Sequence, residues 1–434
     1  VKEGTYALLD DLYSEVLPIL PFAMFNVCCD ETWGLGTSGP SKELADQIGP
    51  GGVYVRHIRR VYDLVHGKYG KRMMMWGDII LKHPDKLAEI PKDVVMLTWG
   101  YGARDSFEDQ IVPFAASGFE FFVCPGVNNW SRVLPDFRAA STNIRNFVRD
   151  GARHGAIGML NTSWDDDGEN LNAPNWYGFA WGAECAWNAS QTAQEDFDRR
   201  IGAVLFGEPG DEFGRAIQIL SDGRFCGMSN RTFWEAPTGL VRRDGQAQAE
   251  DCLKVIQEAI GHLDACRAGA TADADLVDPV RFGAERLRQH YQGQIDRASA
   301  AQAYEEARKG GAQAAAQLDR AAAAVSQTGE AFRKLRDFPP MEAAKLVVSV
   351  GLSDREQDVR RAAYEALLTF RNNEEVAGYL LKTLEKQPKV QADVSVTAPL
   401  IAVLLASDSR DTRGELRDLL DRWQAKSKAG SNAL

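Results

Sequence analysis

Short apolar runs alternate with helix-like segments over the first 190 residues of the chain. The apolar runs predict five strands that are buried on both faces, and the spacing of apolar residues between them predicts helices. Strands of this kind are typical of a parallel sheet covered by helices. We therefore expect the α/β class, either as a (β/α)8 TIM barrel that lacks its first three units or as an open α/β sheet. The predicted strands are Phe22–Cys29, Arg72–Trp76, Asp93–Trp99, Phe119–Cys124 and Ala156–Thr162.

From about residue 193 the pattern becomes helical throughout, with an alanine-rich run at 312–325. Paired short helices are predicted from about residue 338, and the segment 352–367 resembles a HEAT repeat. A plain helical bundle is the alternative for this part. The sequence thus predicts three domains: a partial barrel at 1–192, a helical domain at 193–337, and a helical, HEAT-like domain at 338–434.

Charge and composition exclude some classes of protein. The chain has 50 Lys and Arg against 61 Asp and Glu, a net charge of −11, and no basic stretch with interleaved aromatic residues, so we expect no nucleic-acid partner. No run of 18 apolar residues predicts a membrane span, and no signal peptide opens the sequence, which leaves the compartment open.

The seven cysteines include no C-x-x-C pair, and the adjacent Cys28 and Cys29 suit neither a zinc site nor an easy disulfide. The acidic run at 165–169 lacks the spacing of a calcium-binding EF-hand loop. We expect no metal and no cofactor.

Each predicted strand ends at or is soon followed by a tryptophan, and three of the five strand ends also carry carboxylates. In parallel sheets, residues just beyond the carboxyl ends of the strands meet at one edge. Indole rings stack on the apolar faces of pyranose rings and carboxylates accept hydroxyl hydrogen bonds, so this combination suits a carbohydrate. The candidate binding residues are Trp76, Asp78, Trp99, Tyr101, Trp130, Trp164 and Asp165.

The pair Asp30–Glu31 is the candidate catalytic pair. The dipeptide occurs again at Asp211–Glu212, so its presence alone says nothing. The pair becomes informative because it directly follows the apolar strand Phe22–Cys29. Two charged side chains at the end of a buried strand destabilise the fold unless they face a cleft or have partners. Two adjacent carboxylates repel each other, which favours the protonated form of one of them and hence a general acid.

The same segments resemble glycoside hydrolase family 20, the β-N-acetylhexosaminidases. Their order and spacing look like strands four to eight of that family's barrel, over roughly residues 1–190. One departure is that the family usually has two glycines before the Asp-Glu pair, where this chain has Cys28 and Cys29. The segments that carry the resemblance are Asn26–Glu31, Met75–Asp78, Thr98–Tyr101, Phe122–Trp130, Gly158–Asp165 and Tyr177–Asn188.

The resemblance implies a retaining hydrolysis of terminal β-linked N-acetylhexosamine, in which the substrate's own acetamido oxygen attacks the anomeric carbon to give an oxazoline. Glu31 would be the general acid and then the base, Asp30 would orient the acetamido group, and Tyr101 would donate to its oxygen. The tryptophans would wall the pocket and Asp165 would hold hydroxyls. The partner would be a glycan, and the family resemblance points to an exported or periplasmic protein.

Two other functions remain open at this stage. One is a non-catalytic carbohydrate-binding or scaffold protein whose C-terminal helices recruit a protein partner. The other is a glycosidase that uses two carboxylates on a sugar without an acetamido group.

Overall fold

The computed structural model describes residues 2–166, 170–189, 191, 193–225, 243–308, 341, 344, 348, 357–386 and 394–431. The alanine-rich run at 312–325 and the first residues of the HEAT-like segment, 352–356, lie outside the described residues. Residues cluster into two compact units. The first unit comprises Val1–Asn128, Pro135–Trp164 and Asn175–Phe197, and the second comprises Asn129–Leu134, Asp165–Pro174 and Asp198–Leu434. The division into three domains stays a prediction.

The first unit contains a parallel five-stranded sheet in which the strands follow chain order, β1-β2-β3-β4-β5. All five predicted strands are present: β2 has the predicted bounds and the other four are shorter than predicted. The register aligns Trp76 with Leu97 and Trp99 with Cys124. The carboxyl ends of the strands therefore lie along one edge. The strands are β1 (Met24–Asn26), β2 (Arg72–Trp76), β3 (Val95–Trp99), β4 (Phe121–Cys124) and β5 (Gly158–Met159).

The expected (β/α)8 TIM barrel is wrong. Within the described residues β1 pairs with β2 and β5 with β4, and neither has a second neighbour, so the sheet is an open half-barrel in a chain that is mostly helical. A barrel requires every strand to pair on both sides. Alternating apolar strands and helices are common to barrels and open sheets, which is why the pattern alone did not distinguish them.

A helix of the first unit follows each of the five strands. Gly49 adopts a positive φ of 75° inside α2, where Pro50 also interrupts the hydrogen-bonding pattern, and the helix bends there. In α5, Asp136 caps the first turn by accepting a hydrogen bond from the Ala139 N–H, and Phe147 stacks on Phe107 at 4.1 Å between ring centroids. The helices are α1 (Glu3–Val16), α2 (Gly39–Tyr62), α3 (Asp78–Leu81), α4 (Glu108–Ala116), α5 (Phe137–Arg153) and α6 (Asn175–Trp187). The next helix, α7 (Gln194–Phe206), begins in the first unit and continues into the second.

All the regular secondary structure described in the second unit is helical. Its C-terminal helices share a core of buried alanine, leucine, valine and phenylalanine side chains that includes Leu380 and Leu416. Among the described residues, no helix combines the length and apolar character needed to cross a membrane. The remaining helices are α8 (Glu212–Leu220), α9 (Arg243–Gly269), α10 (Val277–Arg308), α11 (Gln357–Thr369), α12 (Glu374–Lys386), α13 (Val394–Leu405) and α14 (Arg410–Ser431).

Candidate active site

The end of β1 is built from residues in an unusual backbone conformation. Cys28, Cys29 and Glu31 have φ values of 60°, 62° and 45°, the left-handed region that normally favours glycine. Two hydrogen bonds hold this conformation. The Trp76 backbone N–H donates to the Cys28 carbonyl at 3.0 Å, and the hydroxyl of the buried Tyr54 donates to the Cys29 carbonyl at 2.9 Å. Strained backbone of this kind clusters at functional sites. Here it turns the chain so that Asp30 and Glu31 follow at the carboxyl edge of the sheet.

Cys28 gives a direct test of this strain because its side chain is exposed. We expect Cys28→Gly to be more stable than Cys28→Ala by about 1 kcal/mol, since both remove the thiol but only glycine adopts a positive φ at little cost. Urea unfolding of the two variants measures the difference. Equal free energies of unfolding would show that the left-handed conformation at this position costs nothing.

Asp78, the first residue of α3, links the ends of β1 and β2. Its Oδ2 accepts a hydrogen bond from the Glu31 backbone N–H at 3.2 Å, which fixes Glu31 beside the end of β2. Burial raises the pKa of the Asp78 carboxyl, and the negative charge of Asp30 adds to the rise. The backbone N–H of Glu31 and the indole N–H of Trp99 oppose it. The carboxylates of Asp30 and Asp78 therefore lie close enough to interact.

Aromatic side chains form a connected cluster beside these carboxylates. Trp99 stacks on Tyr101 with ring centroids 5.1 Å apart, the Trp164 indole N–H donates to the Tyr101 hydroxyl at 3.0 Å, and Trp164 lies 6.4 Å from Trp76. Trp76 is buried, whereas Trp164 is 38% exposed. The cluster thus runs from the inner face of the sheet to solvent, as a stacking wall for a ring-shaped ligand requires.

Tyr101 connects the aromatic cluster to the acids. Burial raises the pKa of its hydroxyl to about 12, with the negative charge of Asp30 adding to the rise and hydrogen bonds with Thr162 and Trp164 opposing it. The hydroxyl therefore keeps its proton at neutral pH. The negative charge of Asp30 therefore acts on both Tyr101 and Asp78.

The loop that carries Tyr101 is held by polar side chains of α5. Asn143 donates from its Nδ2 to the carbonyls of Gly100 and Gly102 at 2.8 and 2.9 Å. One and two turns further on, Asn146 donates to the Arg104 carbonyl at 2.8 Å and Asp150 accepts from the Phe107 N–H at 2.9 Å. All three α5 side chains are buried, so the loop is fixed by satisfied internal hydrogen bonds rather than by solvent.

Seven of the nine sequence-predicted site residues belong to the first unit, and the contacts above join them into one cluster. Trp130 is half-buried and Asp165 exposed, and both belong to the second unit, so their part in the site stays a prediction. The rest of the acidic run, residues 167–169, lies outside the described residues. The seven clustered residues are Asp30, Glu31, Trp76, Asp78, Trp99, Tyr101 and Trp164.

Sequence reasoning missed Tyr54, which holds the end of β1 from helix α2. The available signal was a tyrosine inside the apolar run Val53–Val55, because a buried hydroxyl needs a partner. In the part of the chain that is described, no three His, Cys, Asp or Glu side chains are grouped closely enough to hold a metal ion.

The chain has a distant structural similarity to a solved enzyme but no matching family model. No family model matches the chain, and no curated protein matches it. Among solved structures, it is similar to a GH138 enzyme targeting pectin rhamnogalacturonan II, with 12% sequence identity and a TM-score of 0.47. The match covers 87% of this chain and 65% of that one, so the chain spans about two thirds of the enzyme's length.

The resemblance to glycoside hydrolase family 20 is therefore wrong. The GH138 enzyme belongs to a different glycoside hydrolase family, and no family model supports family 20. The motifs behind the resemblance are short, and tryptophans and acids at the ends of parallel strands are general features of an α/β site.

Proposed function

We propose that the first unit carries a glycoside hydrolase site. The observation that supports it is the meeting of the Asp30 and Asp78 carboxylates and the Glu31 backbone with the aromatic cluster at the carboxyl edge of the sheet. Indole faces bind the apolar side of a pyranose ring, and carboxylates supply the acid and base that glycosidic cleavage needs.

In this proposal Glu31 is the general acid. Its side chain is exposed, and its backbone is fixed by the hydrogen bond to Asp78, so the carboxyl group can approach the glycosidic oxygen from the edge of the sheet. Glu31 protonates the leaving oxygen and then, as a carboxylate, removes a proton from the attacking water.

The finer proposal is that the substrate ends in a β-linked N-acetylhexosamine. Asp30 and Glu31 are adjacent on one strand end, and Asp30 lies near the protonated Tyr101 hydroxyl. An acetamido group has an N–H for a carboxylate and a carbonyl for a hydroxyl donor, so Asp30 and Tyr101 are complementary to it. The acetamido oxygen then serves as the nucleophile, and the anomeric carbon passes through an oxazoline.

Asp78 favours a second candidate, a glycosidase with two protein carboxylates. Burial raises the pKa of Asp78, which is the property of a general acid, and it comes from a different strand end than Asp30. In that case Asp78 protonates the leaving group and Asp30 acts as nucleophile or base on a sugar that needs no acetamido group.

A panel of 4-nitrophenyl glycosides tests the proposal on the 434-residue chain. Hydrolysis of the N-acetyl-β-glucosaminide or N-acetyl-β-galactosaminide, with inhibition by an oxazoline-mimicking thiazoline, would support the substrate-assisted reaction. Hydrolysis of glycosides without an acetamido group, with indifference to the thiazoline, would favour the two-carboxylate reaction. Calorimetric binding of a sugar with no hydrolysis of any glycoside would replace both with a binding function.

Trp164 should contribute to sugar affinity through stacking. We expect Trp164→Ala to weaken monosaccharide binding about fivefold, because a lost aromatic contact is worth about 1 kcal/mol beyond the buried area. Isothermal titration calorimetry gives the dissociation constant. Trp187→Ala is the matched control, since Trp187 is 88% exposed on α6 and lies outside the cluster. An unchanged affinity for Trp164→Ala would remove this residue from the site.

A further inference from the structure

Two buried polar atoms at the ends of β2 and β3 have no hydrogen-bond partner among the described residues. They are the Oδ1 atom of Asp78 and the indole nitrogen Nε1 of Trp99. The other carboxylate oxygen of Asp78 is occupied by the Glu31 N–H, so only Oδ1 remains available. An unpaired buried polar atom destabilises the fold by about 1–3 kcal/mol. Two such atoms side by side therefore point to a group, either a ligand or a bound water, that satisfies them.

The two atoms are neighbours. The Trp99 indole N–H faces the Asp78 carboxylate as a weak donor and favours its charged form, but the contact falls short of full hydrogen-bond geometry. Trp99 ends β3 and Asp78 follows the end of the neighbouring strand β2, where Gly77, directly before Asp78, donates its backbone N–H to the Leu97 carbonyl at 2.8 Å. One donor and one acceptor thus stand together beside the aromatic cluster.

We propose that Asp78 and Trp99 together recognise one hydroxyl group of the sugar, which accepts from the Trp99 N–H and donates to Asp78 Oδ1. This inference rests on the proposed carbohydrate site and adds a specificity to it. A hydroxyl is a small group that can accept and donate at once, so a single one satisfies both atoms. A deoxy sugar leaves both atoms unpaired, and an O-methyl ether cannot donate to the carboxylate. The site therefore selects glycosides with a free hydroxyl at this position.

Calorimetric binding of a sugar series tests the inference separately from catalysis. The probes are N-acetylglucosamine, glucose and galactose, followed by the 3-, 4- and 6-deoxy forms of whichever of these binds. For the wild-type chain we expect one deoxy form to bind about 100-fold more weakly than its parent, because sites built to bond a hydroxyl strongly reject the analogue that lacks it.

Trp99→Phe and Asp78→Asn identify the atoms responsible. Phenylalanine removes the N–H while keeping a ring that can stack on Tyr101, and asparagine can still accept from the Glu31 N–H but places a second donor opposite Trp99. We expect either variant to reduce the discrimination to below about tenfold, mainly by weakening the binding of the parent sugar. Trp187→Phe is the control and should retain the full ratio, and near-ultraviolet circular dichroism reports whether each variant folds.

The outcomes separate this inference from the proposed function. Binding without discrimination at any position, or discrimination that survives in a folded Trp99→Phe variant, overturns the inference and leaves the glycosidase proposal standing. Discrimination without hydrolysis of any glycoside supports the inference and removes the catalytic proposal. Failure of the wild-type chain to bind any of the three parent sugars overturns both.

Discussion

Glu31→Gln is expected to lower kcat for the best glycoside of the panel by about 10²–10⁴-fold while the sugar still binds. General acid catalysis contributes a factor of this size, and glutamine keeps the shape of the side chain but has no proton to give. The backbone hydrogen bond to Asp78 involves the Glu31 N–H, which the substitution leaves in place. Steady-state kinetics and calorimetric binding on the same preparation measure the two effects.

A substrate with a good leaving group sharpens this test. A 2,4-dinitrophenyl glycoside needs little protonation of its leaving oxygen, so the defect of Glu31→Gln should be smaller with it than with the 4-nitrophenyl glycoside. Glu89→Gln is the matched control, because Glu89 lies on the surface and pairs with Lys86 in an exposed salt bridge. Turnover that is equal in Glu31→Gln and the wild type would exclude Glu31 as the acid. A similar defect with both leaving groups would assign Glu31 a role other than proton donation.

The sequence allowed the strands to be predicted because their burial on both faces leaves a continuous apolar pattern. Val95, Met96 and Leu97 in β3, for example, are all fully buried. The structure shortens the outer strands, with β5 reduced to Gly158–Met159, because an edge strand has a partner on one side. Closure of the sheet depends on pairing between residues far apart in the chain, and local periodicity contains no information on that.

The acids and aromatic residues of the site could be located for the same reason. Once the strand ends are known, a parallel sheet brings Trp76, Asp78, Trp99 and Tyr101 to one edge. The left-handed conformation of Cys28 and Cys29 could not be foreseen, because cysteine has no preference for a positive φ. It depends instead on tertiary hydrogen bonds. The hydrogen bonds from α5 to the loop of Tyr101 could not be predicted either, since Asn143 has the sequence context of an ordinary polar residue on a helix.

Asp150→Ala is expected to destabilise the chain by about 2–3 kcal/mol. Asp150 is 1% exposed; its Oδ2 accepts from the Phe107 N–H at 2.9 Å and its Oδ1 from Arg149 Nε at 2.8 Å. Removing the carboxylate leaves a buried N–H without a partner and a partly buried guanidinium without its counterion. The exposure of Arg149, 28% of its side chain, keeps the cost below that of a fully buried pair. Chemical denaturation at pH 7 measures the loss.

The pH dependence of the free energy of unfolding measures how much the ionised Asp150 carboxylate contributes to stability. Burial by itself raises the pKa of Asp150, but the hydrogen bonds from Arg149 and Phe107 outweigh it and hold the pKa below its ordinary value. A carboxyl group with a lowered pKa stabilises the fold at pH values above its unfolded pKa, near 4, and this contribution is lost as the pH falls through the folded pKa. Between pH 7 and pH 3 the wild type should therefore lose more stability than Asp150→Asn, which cannot titrate there.

Asp150→Asn also separates stability from function, because Asp150 reaches the site only through the loop of Tyr101. Asparagine can accept from the Phe107 N–H but cannot balance the charge of Arg149, so we expect a smaller loss than for Asp150→Ala at pH 7. Asp109→Asn is the control, since Asp109 pairs with Arg104 on the surface and should shift stability by less than about 0.5 kcal/mol. If Asp150→Asn and the wild type lost stability in parallel from pH 7 to pH 3, the pKa of Asp150 would not be lowered in the folded chain, and the Arg149 pair would contribute nothing to stability. The loop would then depend on α5 through the neutral hydrogen bonds of Asn143 and Asn146.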